Sequence, residues 1–511
     1  MRKNKSVKST SSDLSCLDPR RGIDFIRDPI YQYIPFTKSI DEEEVSELDI
    51  INNKWVQRLK RIFQTQATWV SYPGAVHSRF NHSLGTMHLT TEFVRHLYNR
   101  YFSYTKRVHE NKFKKKQDFS RQYPSPEYVT EVFRIAALLH DVGHGPMSHI
   151  FDKYYLSKYN LNHEILGKEI IAKYFFKLIS KIRRSPFGDL DKSIVPQDVI
   201  DVLYPCDKEG NLKPGLEVWK TLLYKIISGL YSTDKLDYLI RDSYFCGTPE
   251  FAIIDVKRLI LTSMLTDKGL ALHLTSKDSS LVPFLLSRLY MYQAVYYHRY
   301  VRAFELTVGE TIPEMMKLLK LGNPRNNLER YWVIDDFYIY SLCKQWRKEK
   351  GKKGKISKIW LSALNGRYKW EEIHYMPIYI EKDEKKWPKH LELLRNPAGL
   401  KTYIETMLKE NLKKKRLPYS DLFIDLPVLD VRPENPLGKD KEQMIFIFDP
   451  FSNKLDPTEF IDLIKNLPLK LIFSRFFCRS DSKYKAKLAR VCRALFSETT
   501  ESKSSIAETH M

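Results

Sequence analysis

Residues 135–149 read Ile-Ala-Ala-Leu-Leu-His-Asp-Val-Gly-His-Gly-Pro-Met-Ser-His. Three histidines and an aspartate are packed into the stretch that begins at His140. An apolar helix is expected to run into it, because Val129, Val132, Phe133, Ala136 and His140 fall on one face of a 3.6-residue repeat. His140 then points inward from the stripe that packs the core. Asp141 follows at once, and Gly143, Gly145 and Pro146 end the helix and turn the chain. His144 and His149 are left on irregular backbone near the helix end. Imidazole and carboxylate side by side on a rigid helix end suit a divalent transition metal. A lone His-Asp pair is more often a core histidine with a capping aspartate. Two further histidines and a Gly-x-Gly-Pro reversal favour a site.

Other segments supply partners. His82 precedes an apolar helical pattern, and Asp234 lies late in what reads as one long helix from Val218 to Asp242, with Leu222, Leu223, Ile226, Ile227 and Leu230 on its apolar stripe. His82, His140, Asp141 and Asp234 are the candidate ligands. Two imidazoles with two carboxylates suit Fe, Mn, Co or Zn better than Ca. Asp234, Tyr238 and Asp242 recur every four residues, continue the direction of that stripe and have Lys235 and Arg241 beside them. Polar groups on a face that should be buried line a wet cavity. Arg288, Tyr292, Tyr296 and Arg299 repeat the theme on a second helix, and arginine among aromatics is hard to bury without an anion.

The 511 residues exceed what one compact core spans, so two or three lobes are expected. Hydrophobic content of 43% and charged content of 29% fit a globular, non-membrane chain. No apolar run approaches the roughly 20 residues that cross a bilayer, and Met1–Ser15 lacks the apolar core of a signal peptide. Six cysteines, none spaced as a metal knuckle or redox pair, read as reduced thiols of a cytoplasmic protein. A formal net charge of +22 favours anionic partners.

The expected fold is mainly α, a helical core with a smaller mixed α+β C-terminal lobe. The expected divisions are an N-terminal arm, partly disordered, over 1–44, a catalytic domain over 45–320, a basic C-terminal lobe over 321–495 and a disordered tail over 496–511. Residues 24–36 read as extended or turn-rich, Lys106–Gln122 as a Lys-rich surface loop, Ile165–Ile182 as an amphipathic helix and Leu190–Pro214 as loop-rich. Two short strands are expected about Asp267-Lys-Gly, further strands over Asp421–Leu429 and Met444–Phe448, and a basic run over Lys344–Lys358.

Taken in order, Arg79-Phe-Asn-His-Ser-Leu-Gly85, His140-Asp141 and Asp234-Lys-Leu-Asp-Tyr-Leu-Ile-Arg-Asp242 resemble the HD-domain phosphohydrolases, and within them the deoxynucleoside triphosphate (dNTP) triphosphohydrolases. The resemblance covers about residues 45–310. It implies that His82, His140, Asp141 and Asp234 hold the metal, with Mg²⁺ accompanying the substrate phosphates. It implies His149, supported by Asp152, as the general acid, and His144 and His163 on the α-phosphate. Arg79, Lys235, Tyr238 and Arg288 would hold the triphosphate. Gln64 and Asp242 would bond the 3′-hydroxyl, and Tyr296 would pack on the sugar. Thr65 follows Gln64 where the family carries an apolar residue. The implied reaction turns a dNTP and water into deoxynucleoside and triphosphate, in a homo-oligomer. The rivals are another HD hydrolase acting on nucleic acid or nucleotides, and a nucleotide-responsive binding protein without catalysis. The Lys-rich tracts of the C-terminal half make nucleic acid a candidate partner.

Overall fold

The computed structural model describes residues 19–109, 119–120, 122–207, 210–380, 397–431, 446–457 and 470–500. Most of the expected N-terminal arm's first 20 residues, the centre of the Lys106–Gln122 segment and the tail beyond 500 lie outside them. The fold is mainly helical, with strands concentrated toward the C-terminus.

The described chain opens with an antiparallel hairpin, β1 (Ile23–Asp28) and β2 (Gln32–Thr37), whose Ile34 and Phe36 are buried in the main core. The centre is a pair of packed helices, α1 (Arg79–His109) and α2 (Pro126–Leu139). Helix α2 starts where Ser125 accepts the amide of Tyr128 and Pro126 occupies the first turn, the position where a missing N–H costs nothing. Every residue from Tyr128 to Leu139 is buried, so α2 is the axis of the domain and delivers His140 at its end. After the turn come α3 (His149–Tyr154) and α4 (His163–Ile170), the latter continuing through a π-turn to Ile179. The loop-rich expectation for Leu190–Pro214 needs a correction, since α5 (Pro196–Leu203) lies inside it.

The long helix expected over Val218–Asp242 is broken. Helix α6 (Val218–Leu223) and a short turn Lys225–Ser228 precede an extended Gly229 (φ −69°, ψ −172°). Ser232 then caps a new helix, α7 (Thr233–Cys246), by accepting the amide of Lys235. Asp234 is therefore in the first turn of a helix rather than late in one. A Cβ on Gly229 would lie 2.3 Å from the Lys225 carbonyl, so the break tolerates only glycine there. Helix α1 also continues to His109, into the segment expected to be a loop.

The hairpin expected about Asp267 is β3 (Ser263–Thr266) and β4 (Gly269–His273). Helices α8 (Val282–Tyr290) and α9 (Arg299–Gly309) follow, joined by a π-helical stretch Met291–Tyr296. Then come α10 (Leu328–Val333), α11 (Asp336–Gln345) and α12 (Gly351–Leu364). Helix α12 covers much of the basic run and buries Ile356, Trp360 and Ala363 in the main core. A second core joins α13 (Pro397–Lys414) to a sheet of β5 (Trp370–Ile380), β6 (Leu422–Asp425), β7 (Val428–Asp430) and β10 (Lys470–Arg479), flanked by α14 (Lys485–Thr500). Between them, β8 (Phe446–Asp449) pairs with β9 (Lys454–Pro457) and, in parallel, with β4, tying the C-terminal segment to the β3–β4 hairpin. Beyond position 320, Leu321, Tyr331, Trp346 and Trp360 belong to the main core.

Among the described residues no helix is long and apolar enough to cross a membrane, and the five cysteines there carry no disulfide.

Candidate active site and metal centre

The turn after α2 meets the starts of α1 and α7. Nε2 of His82 lies 3.2 Å from Nε2 of His140 and 3.0 Å from Oδ1 of Asp234. Asp141 completes the group, its oxygens 3.4 Å from His140 Nε2 and 3.9 Å from His82 Nε2. The other nitrogen of each ring is committed: His82 Nδ1 to Asp237 at 2.8 Å and His140 Nδ1 to the carbonyl of Ala137 at 2.7 Å. Both acceptors require an N–H at Nδ1, which directs both Nε2 lone pairs into one space. Two lone pairs so close repel unless a proton or cation lies between them. Burial opposes protonation of His82, but Asp234 and Asp237 push its pKa up to about 10. His82, His140 and Asp234 bring their ligand atoms within 4.8 Å of one another, with Asp141 alongside, a donor set of nitrogens and carboxylates that suits a divalent ion.

Beside this cluster lies a second one. His144 and His163 stack with ring centres 3.7 Å apart. Asp152 Oδ2 is 2.6 Å from His163 Nδ1 and 3.5 Å from His149 Nδ1. Burial would raise the Asp152 pKa, but its contacts with His149 and His163 hold it well below the carboxylate range. His149 is drawn down by desolvation, although Asp152 works the other way. His144 is held well below the usual imidazole range by burial, by Arg79 and by His163.

Both clusters open into one cavity of about 980 Å³, at the upper end for a ligand site. Arg79 lines it, with Nη1 2.5 Å from Asp141 Oδ2 and Nε 2.7 Å from Ser148 Oγ. Burial disfavours the charge on Asp141, but Arg79 keeps it well below the normal range. Gln64, Tyr238, Asp242 and Tyr296 line the cavity as well. Asp242 accepts the hydroxyl of Tyr296 at 2.6 Å and bonds His77 Nε2 at 2.7 Å, while Gln64 Oε1 is buried without a partner among the described residues.

Two expected residues are placed differently. Lys235 Nζ donates to the carbonyl of Gly229 at 2.6 Å, and buried Arg288 reaches the carbonyl of Asp430 at 3.5 Å. Neither lines the cavity. The lining cations besides Arg79 are Lys153, Arg302 and Lys401, with Arg302 forked onto Asp425 at 2.7 and 2.8 Å. Sequence reasoning missed these, and it missed the wall that Phe423–Pro427 of the C-terminal lobe contributes. It also missed Asp237 and His77. The signal for Asp237 was its position three residues after Asp234 and four before Arg241, on the quoted motif.

Residues 79–204 match the HD domain. The chain is 30% identical to an uncharacterized protein of Methanocaldococcus jannaschii over 62% of this chain and 54% of that protein. It is 25% identical to the deoxynucleoside triphosphate triphosphohydrolase SAMHD1 of Gallus gallus over 64% of this chain and 54% of that enzyme. The chain thus spans about half the length of each. Its fold is shared with a solved phosphohydrolase of Bacteroides thetaiotaomicron, with a TM-score of 0.60 at 20% identity over 90% of this chain and all of that one. The ligand geometry of His82, His140 and Asp234 suits a divalent ion.

Proposed function

We propose that the chain is a metal-dependent phosphohydrolase whose substrates are deoxynucleoside triphosphates, cleaved to deoxynucleoside and triphosphate. One observation carries the reading: the cluster of His82, His140 and Asp234, with Asp141 beside it, and the His149–Asp152–His163 group share a single nucleotide-sized cavity. The similarity to the Gallus enzyme supports the choice of substrate.

A divalent ion in the first cluster would polarise the α-phosphate and acidify an attacking water. In the second, His149 gives its proton to the departing 5′ oxygen as the bond from water to phosphorus forms. Asp152 fixes the Nδ1 side of that ring, so the proton leaves from Nε2. His144 and His163 offer hydrogen bonds to the α-phosphate. Gln64 and Asp242 take the 3′-hydroxyl, and Tyr296, held to Asp242, closes the space beside the sugar. Arg79 lies nearest the phosphates. Tyr238 joins it, and Lys235 and Arg288 serve once they turn from their carbonyls. The buried Nε of Arg288, without a partner among the described residues, is suited to an anion. Self-association belongs to this reading through the family resemblance, and contact with nucleic acid through the charge of +22 and the exposed lysines of α12.

The test is product analysis. Purified protein with Mn²⁺ and each dNTP in turn should release tripolyphosphate and nucleoside. Pyrophosphate or monophosphate products would indicate another hydrolase class, and tight nucleotide binding without turnover would indicate a binding module.

A further inference from the structure

Asp336 lies outside the matched HD domain and is fully buried at the first turn of α11. Its two carboxylate oxygens accept two backbone amides from distant parts of the chain. Oδ2 takes the N–H of Phe63 at 2.8 Å, and Oδ1 takes the N–H of Met147 at 2.5 Å. Phe63 directly precedes Gln64, and Met147 lies two residues before His149. One side chain therefore joins the strand-like segment that carries a sugar-side residue to the turn that carries the acid histidine.

The two segments are further interlocked. Arg79 N–H donates to the carbonyl of Ile62 and its Nε to Ser148, whose hydroxyl also reaches the carbonyl of Phe63 at 3.3 Å. Met147 and Ser148 both have positive φ, 57° and 50°, a region that residues with a Cβ seldom adopt. A turn of that kind persists only where its surroundings hold it, and the Met147 amide is held by Asp336. The neighbouring α10 and the segment before α1 buttress the same turn. Tyr331 donates its hydroxyl to the carbonyl of Gly143 at 2.8 Å, and Arg58 donates to that of His144 at 2.6 Å.

We propose that Asp336 is a positioning residue for catalysis, a two-amide clamp that sets the spacing between the Gln64 segment and the His149 turn. It touches no substrate. The carboxylate form is required, because a protonated oxygen or an amide nitrogen would present a donor to an N–H. Burial, with Asp335 adding to it, pushes the Asp336 pKa up to about 7. Arg58 and the two amides oppose that rise, Tyr340 packs nearby, and Asp335 is itself paired with Arg61. Loss of the clamp through protonation thus falls within an accessible pH range.

The activity arm of the test rests on the hydrolase reading above, and the exchange arm does not. Hydrogen exchange of the full-length protein is followed by mass spectrometry at pH 8 and pH 6, corrected for intrinsic rates. Peptides over 60–66 and 143–150 should lose protection together at the lower pH. In D336N they should be unprotected at both. In the wild type, kcat for dNTP hydrolysis should fall along a one-proton limb near pH 7. In D336N kcat should be at least tenfold lower, KM should change less, metal content should be unchanged and that limb should be absent. Equal protection at both pH values overturns the clamp whether or not the variant folds. So does a folded D336N with wild-type kcat, or one with a reduced kcat and the acid limb intact. Absence of turnover in the wild type, with the exchange pattern as expected, would fail the hydrolase reading and leave the clamp standing.

Discussion

Asp237 Oδ2 lies 2.8 Å from Nδ1 of His82, and both side chains are buried. Arg241 grips the same Asp237 at 2.9 and 3.0 Å and extends the chain to Asp28 of β1 at 2.7 Å. Nε2 of His82, which would face the proposed ion, is thus oriented by a run of ion pairs that ends in the N-terminal hairpin. Carboxylates behind a ligating histidine fix its ring and raise its basicity, and their loss typically weakens metal binding by about 10–100-fold. Asp237→Asn should lower metal affinity by that factor in chelator competition, with the fold intact by circular dichroism. Unchanged affinity would mean that the pair is only structural.

His149 should give the reaction a distinctive pH dependence. As the acid it must carry a proton, and in the free protein desolvation lowers its pKa. The limb of kcat/KM, which reports the free enzyme, should therefore fall with rising pH below the ordinary histidine range. A bound polyanion favours the imidazolium, so the limb of kcat should lie at higher pH. His149→Ala should reduce kcat by about 10²–10⁴-fold while nucleotide binding persists. Coincident limbs, or a His149→Ala enzyme near wild-type rate, would remove His149 from this role.

The two halves of the site were unequally legible in the sequence. His82, His140, Asp141 and Asp234 stood out because such residue types are rare at the ends of apolar helices, and the quoted motifs fixed their order. Asp336 and Arg302 did not, because their partners Met147 and Asp425 are 189 and 123 positions away and no local pattern marks them. The contact of Arg288 with the carbonyl of Asp430 on β7, 142 positions away, lies beyond what a helix-face pattern or a local motif can show. The helix break before Asp234 was hidden because the apolar spacing of Leu222 to Leu230 continues across it. Only Gly229 and the cap at Ser232 mark the stop.

Glu131 should be a cost to stability near neutral pH. Both its oxygens are buried without a hydrogen-bond partner among the described residues, beside Arg134, which is engaged by Glu47. Burial and Glu47 raise its pKa well above the usual value. A raised carboxyl pKa means that the folded chain takes up a proton the unfolded chain lacks, so the penalty appears as pH rises above about 4.3. Glu131→Gln should raise Tm at pH 7, and the gain should vanish by pH 4. A gain that is constant with pH would show that ionisation is not its source.

The Arg302–Asp425 fork ties α9 to β6 across the cavity wall, with side chains only 14% and 5% exposed. Removing one member of a buried pair costs about 3–5 kcal/mol, while replacing both by apolar groups of similar shape is often neutral. Glu305 shares Arg302 with Asp425. Asp425→Ala should therefore lower unfolding stability by up to that amount in denaturant titration, and Arg302→Met with Glu305→Leu and Asp425→Leu should recover most of it. Equal losses in the single and triple variants would show that packing, rather than the uncompensated charge, holds the wall.

The convergence of His82, His140, Asp141 and Asp234 on one cation is tested most directly by metal analysis of wild type and Asp234→Ala side by side. The wild type should bind one divalent ion per chain and hydrolyse dNTPs. The variant should keep its helical spectrum but lose both the ion and turnover. An Asp234→Ala protein that retains a full equivalent of metal and wild-type hydrolysis would contradict the account.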